Sequence, residues 1–214
     1  MFDPNIFCAD RPGTLGVIGI TGIGKSCLIN DHLMGLLASD RPFICVKATH
    51  VDVGFTNEHQ RLTESGSIAV LDFLGRTYIE HDSQANPKMQ IARMMNNDEV
   101  TTSALSRFLL ESVYHYDNEQ PLSVIFDDCS SLYMPKTVNS FLTRPRSANL
   151  NVVIVNQAYS DMTDKGFEGN LDRLVAFRLL PFDADRLCAT RPNCQPSDIS
   201  NLGMGEFYNV PVGW

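Results

Sequence analysis

The chain has 214 residues, 43% of them hydrophobic and 20% charged, the proportions of an ordinary globular protein. That length suits one domain that buries about 70% of its unfolded surface without staples, and no apolar run reaches the roughly 18 residues that a membrane-crossing helix needs. The formal net charge of −8 argues against a generally sticky nucleic-acid binder, since non-specific affinity comes mostly from neutralised phosphates; a local basic strip, as in the pore of a ring, stays open.

Residues 1–14 are polar and carry Pro4, Pro12 and Gly13, so a leading loop is expected. Met1 to Asn5 show neither the basic nor the apolar region of a secretory signal. Leu15 to Ile20 is an apolar run of strand length, and Gly19-Ile20-Thr21-Gly22-Ile23-Gly24-Lys25-Ser26 fits the phosphate-binding loop G-x-x-x-x-G-K-[ST]. Leu28, Ile29, His32, Leu33, Leu36 and Leu37 then recur with helical period as far as Ser39, where Asp40-Arg41-Pro42 breaks the pattern. Phe43 to Val46 predicts a second strand. Residues 50–100 lack a clear period. Ile68 to Leu71 and Tyr78-Ile79 are strand or helix, with turn signals at Asn86-Pro87 and Asn96-Asn97-Asp98, and irregular or inserted structure is expected.

Thr101 or Thr102 can cap a helix whose apolar face is Leu105, Phe108, Leu109 and Val113, ended by Asn118 to Pro121. Leu122 to Asp128 is a buried strand closing in two acids, Met134 to Leu142 a helix, and Asn151 to Gln157 a buried strand closing in polar residues. Leu174 to Leu180 predicts a strand, Asp183 to Thr190 a helix, and Leu202 to Tyr208 a turn and a last strand. Apolar strands alternating with helices predict an α/β fold with a largely parallel sheet, in one domain over 1–214. The six cysteines form no C-x-x-C pair. Cys27, Cys45 and Cys129 fall in or beside expected buried elements, where cysteine acts as a small hydrophobe, and a reduced, cytosolic protein is expected. Cys188 and Cys194 could pair across a loop.

The chemistry starts at the Gly-rich loop. Its glycines let Gly19, Ile20, Thr21, Gly22, Ile23 and Gly24 bend their N–H groups around a pyrophosphate, with Cys27 in the first helical turn behind them. Lys25 suits the β- and γ-phosphates, and the Ser26 hydroxyl suits Mg²⁺. Asp127-Asp128 at a strand end has the form of a Walker B element. Asp127 would hold Mg²⁺ through its water shell and Asp128 would polarise the attacking water. Two adjacent carboxylates repel unless a cation is near; the plainer reading is a pair of acids capping the next turn. Gln157 ends the following strand, and ligands of open α/β sheets lie beyond the carboxyl ends of strands. Its amide can reach both the γ-phosphate and the water; the plainer reading is a polar strand end.

Walker A, a Walker B of two acids and a strand ending in Gln together resemble the FtsK/HerA superfamily of ring-forming DNA motors. Arg146 to Gln157 is similar to the family's segment in which an Arg precedes the Gln strand, and Leu202 to Phe207 to its closing glycine turn. The resemblance covers about residues 15–50 and 120–210, and it is strongest to the genome-packaging ATPases of membrane-containing icosahedral viruses and large DNA viruses. It implies a RecA-like P-loop NTPase fold with ATP and Mg²⁺, double-stranded DNA as partner, a homo-oligomeric ring such as a hexamer, and capsid or membrane-vertex proteins for docking. It also implies a cytoplasmic or virion-associated setting. Many relatives carry Glu where Asp128 stands, a carboxylate one methylene longer. The resemblance further implies an arginine from the neighbouring subunit. Arg146 is the first candidate and Arg144 the second, ahead of Arg76, Arg173 and Arg178. The candidates for DNA contact are residues 84–95, a loop carrying Lys88 and Arg93 among Met89, Gln90, Met94 and Met95, and Lys136.

Packaging of viral DNA is thus the leading expectation. Other DNA pumps of the superfamily, in conjugation, segregation or phage export, stay open. So does a P-loop small-molecule kinase, although no Arg-rich lid is present, and so does a nucleotide-binding structural subunit. A signalling GTPase needs N-K-x-D, which Asn156-Gln157-Ala158-Tyr159 does not supply.

Overall fold

The computed structural model describes residues 7, 11–48, 68–81, 89–116, 119–128, 132, 134–191 and 193–211. Nine strands form one sheet: β1 (Gly13–Ile18), β2 (Phe43–Ala48), β3 (Ala69–Leu74), β4 (Thr77–His81), β5 (Met89–Met94), β6 (Leu122–Asp127), β7 (Leu150–Asn156), β8 (Arg173–Phe177) and β9 (Phe207–Val210). Their order is β4-β3-β5-β2-β6-β7-β1-β8-β9. All pairings are parallel except those of the edge strands β4 and β9. Parallel strands need crossovers, and the helices supply them: α1 (Lys25–Ala38), α2 (Glu99–Tyr114), α3 (Pro135–Leu142), α4 (Tyr159–Asp164), α5 (Pro181–Cys188) and α6 (Pro196–Ser200).

Side chains alternate across a strand, so the sheet divides the apolar residues into two cores. Leu15, Val17, Cys45, Ile91, Ile125, Val153 and Val155 pack with Leu28, Ile29, Leu33 and Leu36 of α1. On the other face Val46, Phe73, Val124, Phe126 and Ile154 pack with Leu105 and Leu109 of α2, Val138 and Phe141 of α3, Met162 of α4, Leu187 of α5 and Ile199 of α6. The central strands are buried along nearly their whole length, as sheets covered on both faces require.

Four features depart from the expectations. Within the region expected to be irregular or inserted, β3, β4 and β5 are regular members of the sheet; their apolar runs are interrupted by inward Asp72 and Arg93, which pair with each other. Residues 49–67 and 82–88, including Lys88, lie outside the described residues. The cap of α2 is Asp98, whose carboxylate accepts from the Thr101 N–H at 2.7 Å, because a carboxylate at that point also answers the helix dipole. Finally, Cys188 and Cys194 form a disulfide across the α5–α6 turn, where a reduced pair was expected. Cys27 is exposed although Cys45 is buried as expected; Cys129 lies outside the described residues.

Candidate active site

Because β1, β6 and β7 run parallel, their carboxyl ends bring Gly19–Ser26, Asp127-Asp128 and Gln157 to one edge of the sheet. The Gly-rich loop leaves β1 with its start clamped to the neighbouring strand: the Ile20 N–H donates to the Arg178 carbonyl at 3.0 Å. A Cβ on Gly19 would stand 2.6 Å from Cβ of Phe177, so only glycine lets the loop pass β8. Gly24 opens α1 with φ 113°, and a turn from the chain's end closes over it. The Gly205 N–H donates to the Ile23 carbonyl at 2.9 Å, and a Cβ on Gly24 would meet the Gly205 Cα at 3.3 Å.

Lys25 folds back over this loop and donates to the carbonyls of Gly19 (2.5 Å) and Ile20 (2.9 Å). Burial lowers the pKa of its ammonium, against the opposing pull of the Asp127 and Asp128 charges. The lysine and the acids, a hundred residues apart in sequence, therefore share one field. Gln157 joins the two motifs directly. Its Oε1 accepts from the Thr21 hydroxyl at 3.0 Å, and its Nε2 donates to Asp128 Oδ2 at 3.4 Å. Asp128 takes φ 61°, in the left-handed region, a conformation that costs a non-glycine residue free energy and is typical of sites where the side chain must be aimed.

Asp127 has a partner that the sequence did not suggest. Lys47, at the end of β2, makes an ion pair with its Oδ2 at 3.0 Å, and both side chains are largely buried. The signal was available as a cation closing an apolar strand, Phe43-Ile44-Cys45-Val46-Lys47. A hydroxyl, a carboxylate and nucleotide phosphates are hard oxygen donors of the kind Mg²⁺ prefers, and that ion needs only one or two protein ligands beside phosphate. Ser26, exposed at the start of α1, and Asp127 fit that need. Among the described residues no cluster of three or more His, Cys, Asp or Glu could hold a metal by itself.

The candidate arginines separate by position. Arg146 lies in the turns before β7, at the amino end of the strands and thus about 20 Å from the loop that follows β1, given 3.3 Å per residue over Gly13–Ile18. Its side chain is 84% exposed, with Nη2 3.7 Å from Asp172 Oδ1. Arg144 occupies the same turns and Arg173 the start of β8. Arg76 is exposed in the β3–β4 turn. Arg178 alone follows a strand beside the Gly-rich loop. The DNA-contact loop expected over 84–95 is not a loop from Met89 to Met94: it is β5, with Met89 and Met94 buried and Arg93 tied to Asp72. Lys136 is exposed on α3.

Comparison with solved structures finds the same architecture. The DNA-packaging ATPase B204 of Sulfolobus turreted icosahedral virus superposes with a TM-score of 0.66 at 14% identity, over 94% of each chain. The genome-packaging NTPase B204 of Sulfolobus turreted icosahedral virus 2, in complex with AMPPCP, gives 0.64 at 14% identity over 93% of each. The plasmid coupling protein TrwB, in complex with ADP and Mg²⁺, gives 0.70 at 13% identity over 95% of this chain and 84% of that one. No protein-family model and no curated protein sequence matches the chain. At such identities the likeness is one of fold, and the fold expected from the motifs is the one present: a RecA-like P-loop NTPase core with a mostly parallel sheet between two helical layers.

Proposed function

We propose that the chain is an ATPase of the FtsK/HerA type that moves double-stranded DNA, and that its task is packaging a viral genome as part of a homo-oligomeric ring. The observation that carries the reading is the hydrogen-bonded chain Thr21–Gln157–Asp128, beside a Lys25 held in the field of two acids. It joins a phosphate-binding loop to a water-activating carboxylate through an amide, which is an arrangement for hydrolysis rather than for holding a nucleotide. The fold likeness to two viral packaging enzymes and to a conjugative coupling protein supports a DNA pump; the coupling protein keeps conjugative transfer as the second reading.

In this mechanism the N–H groups of Gly19 to Cys27 wrap the phosphates of ATP, and Lys25 exchanges its two carbonyl partners for β- and γ-phosphate oxygens. Ser26 and Asp127 would hold Mg²⁺, which would supply neutralising charge at the phosphates. Asp128 accepts a proton from the attacking water. Gln157 leaves Thr21 when phosphate arrives and returns when it leaves, so that the amide reports nucleotide state to β7. Arg146, too distant from its own loop, serves the site of the neighbouring subunit, where a guanidinium stabilises the transferring phosphoryl group. Capsid or membrane-vertex proteins dock the ring. None of the described helices is long and apolar enough to cross a membrane.

The test is ATP turnover by the purified assembly with and without double-stranded DNA. Stimulation by DNA is expected, and the Lys25→Ala variant is expected to lose turnover entirely. Full turnover in that variant would remove the P-loop assignment, whereas phosphate transfer to a small acceptor, indifferent to DNA, would favour a kinase.

A further inference from the structure

The ion pair between Lys47 and Asp127 is one end of a charged row that crosses four strands. Lys47 is in register with Asp127 on β6 and with Arg93 on β5, and Arg93 is in register with Asp72 on β3. In-register neighbours share a face, and alternation places all four on the α1 side of the sheet, since Cys45, Ile91 and Ile125, two residues earlier on their strands, pack there. The order along the row is acid, cation, cation, acid. Side-chain exposure is only 11% for Asp72, 22% for Arg93, 7% for Lys47 and 15% for Asp127.

Two like charges directly opposite in a sheet repel, so Arg93 and Lys47 turn away from each other, each toward the acid on its outer side. Arg93 is committed to Asp72 by two hydrogen bonds, Nε to Oδ1 and Nη2 to Oδ2. His81 of β4 adds a third contact at 2.8 Å. Burial pushes the Asp72 carboxyl up, but the Arg93 and His81 hydrogen bonds outweigh it and hold it below its ordinary value. Bidentate pairing of this kind is strong and directional. With Arg93 directed to Asp72, Lys47 faces Asp127 and holds its ion pair there in a largely buried setting.

We propose that Lys47 is the positioning residue for Asp127, and that the Arg93–Asp72 pair is the abutment that keeps Lys47 directed there. Lys47 takes Oδ2 and fixes the carboxylate in one orientation, so that Oδ1 is the oxygen that would serve Mg²⁺. The row also connects the site to the edge hairpin β3–β4, three strand spacings or about 14 Å from Asp127. The inference rests on the nucleotide site proposed above.

The test measures the affinity of a fluorescent ATP analogue in Mg²⁺ and in EDTA, whose ratio is the gain due to metal. Lys47→Met is expected to reduce that gain about tenfold, the usual scale for loss of an outer-shell partner, with little change in EDTA. Lys47→Arg should recover most of it. Asp72→Asn should reduce it as well, and the double variant should lose no more than Lys47→Met alone, because both act through the same carboxylate. Independent structural damage would add. An unchanged gain in Lys47→Met overturns the proposal, as does a larger one, which is what removing a merely competing cation would give. If Lys47→Met does not fold, Asp72→Asn decides by the same criterion. Lys25→Ala separates the two readings: if it binds nucleotide like the natural chain, the nucleotide site itself is wrong, whereas loss of binding there with an unchanged gain in Lys47→Met removes only the positioning role.

Discussion

His32 shows what a single residue contributes when it is placed on an apolar stripe. It is buried in α1, its ring is stacked on Phe7 with centroids 3.8 Å apart, and its Nε2 has no hydrogen-bond partner among the described residues. Burial first, and the charge of Arg41 second, lower its pKa to about 3. The folded state therefore holds the neutral ring down to about pH 3, while the unfolded chain takes up a proton near pH 6.5. Below pH 6.5 the unfolded state binds more protons, so stability is full above that value and falls with pH until the folded ring also titrates. The slope is about 1.4 kcal/mol per pH unit. Urea unfolding at pH 7 and pH 5 should show the natural chain losing about 2 kcal/mol more than His32→Leu. Parallel losses in the two proteins would mean that the ring is not buried neutral. Here sequence and structure agree, because helical period alone puts His32 among Ile29, Leu33 and Leu36.

At the scale of elements, legibility followed how far a segment obeys one rule. β1, β6 and β7 are continuous apolar runs and α1 a clean stripe, so both the elements and the motifs at their ends could be read. Asp127, Asp128 and Gln157 stand out in the sequence because polar residues there close buried strands. Lys47 obeys the same rule without standing out, since one lysine at a strand end also suits a solvated terminus. β3 was legible only as strand or helix and β5 only as a loop, because they carry half of the charged row, and a buried acid or arginine looks like a loop until its partner is seen across the sheet. α4 and α6, of six and five residues, are too short to show a period. α4 begins two residues after Gln157, and what holds it is tertiary. Arg191 pairs with Glu168 and reaches Tyr159, whose hydroxyl donates to the same carboxylate at 2.7 Å. The arginine and glutamate side chains are 8% and 14% exposed. Arg191→Met should thus strand a buried carboxylate and cost about 3–5 kcal/mol in urea unfolding. Replacing Glu168 by Met as well should recover much of that cost. Equal losses in the single and double variants would show that the pair adds no more than its packing.

At the scale of the molecule, the sheet separates two edges with different side chains. The carboxyl edge gathers Gly19–Ser26, Lys47, Asp127, Asp128 and Gln157; the amino edge carries Arg146, in a hollow lined by Thr14, Thr143, Arg144 and Asp172. Asp172 is itself held by Thr14, through the backbone N–H at 2.8 Å and the hydroxyl at 3.0 Å, which leaves Oδ1 for Arg146. An exposed pair of this kind contributes little to stability, so Arg146 can exchange Asp172 for a phosphate at small cost. Its distance from the loop of its own chain rules out service there, and a ring in which one subunit's amino edge meets the next subunit's carboxyl edge is the arrangement that would use it. Such a ring has a signature in mixtures. Arg146→Ala subunits have an intact loop and lack the arginine, while Lys25→Ala subunits have the arginine and lack a working loop. Each alone should be inactive, and mixing them should restore part of the DNA-stimulated turnover, because some junctions then join a sound loop to a sound arginine. The recovered activity should vary with the mixing ratio and pass through a maximum, since pure populations at both ends contain no complete junction. No recovery at any ratio, in a mixture shown by mass to co-assemble, would leave Arg146 as a surface charge paired to Asp172 and would return the search to Arg178, the candidate beside the loop in its own chain.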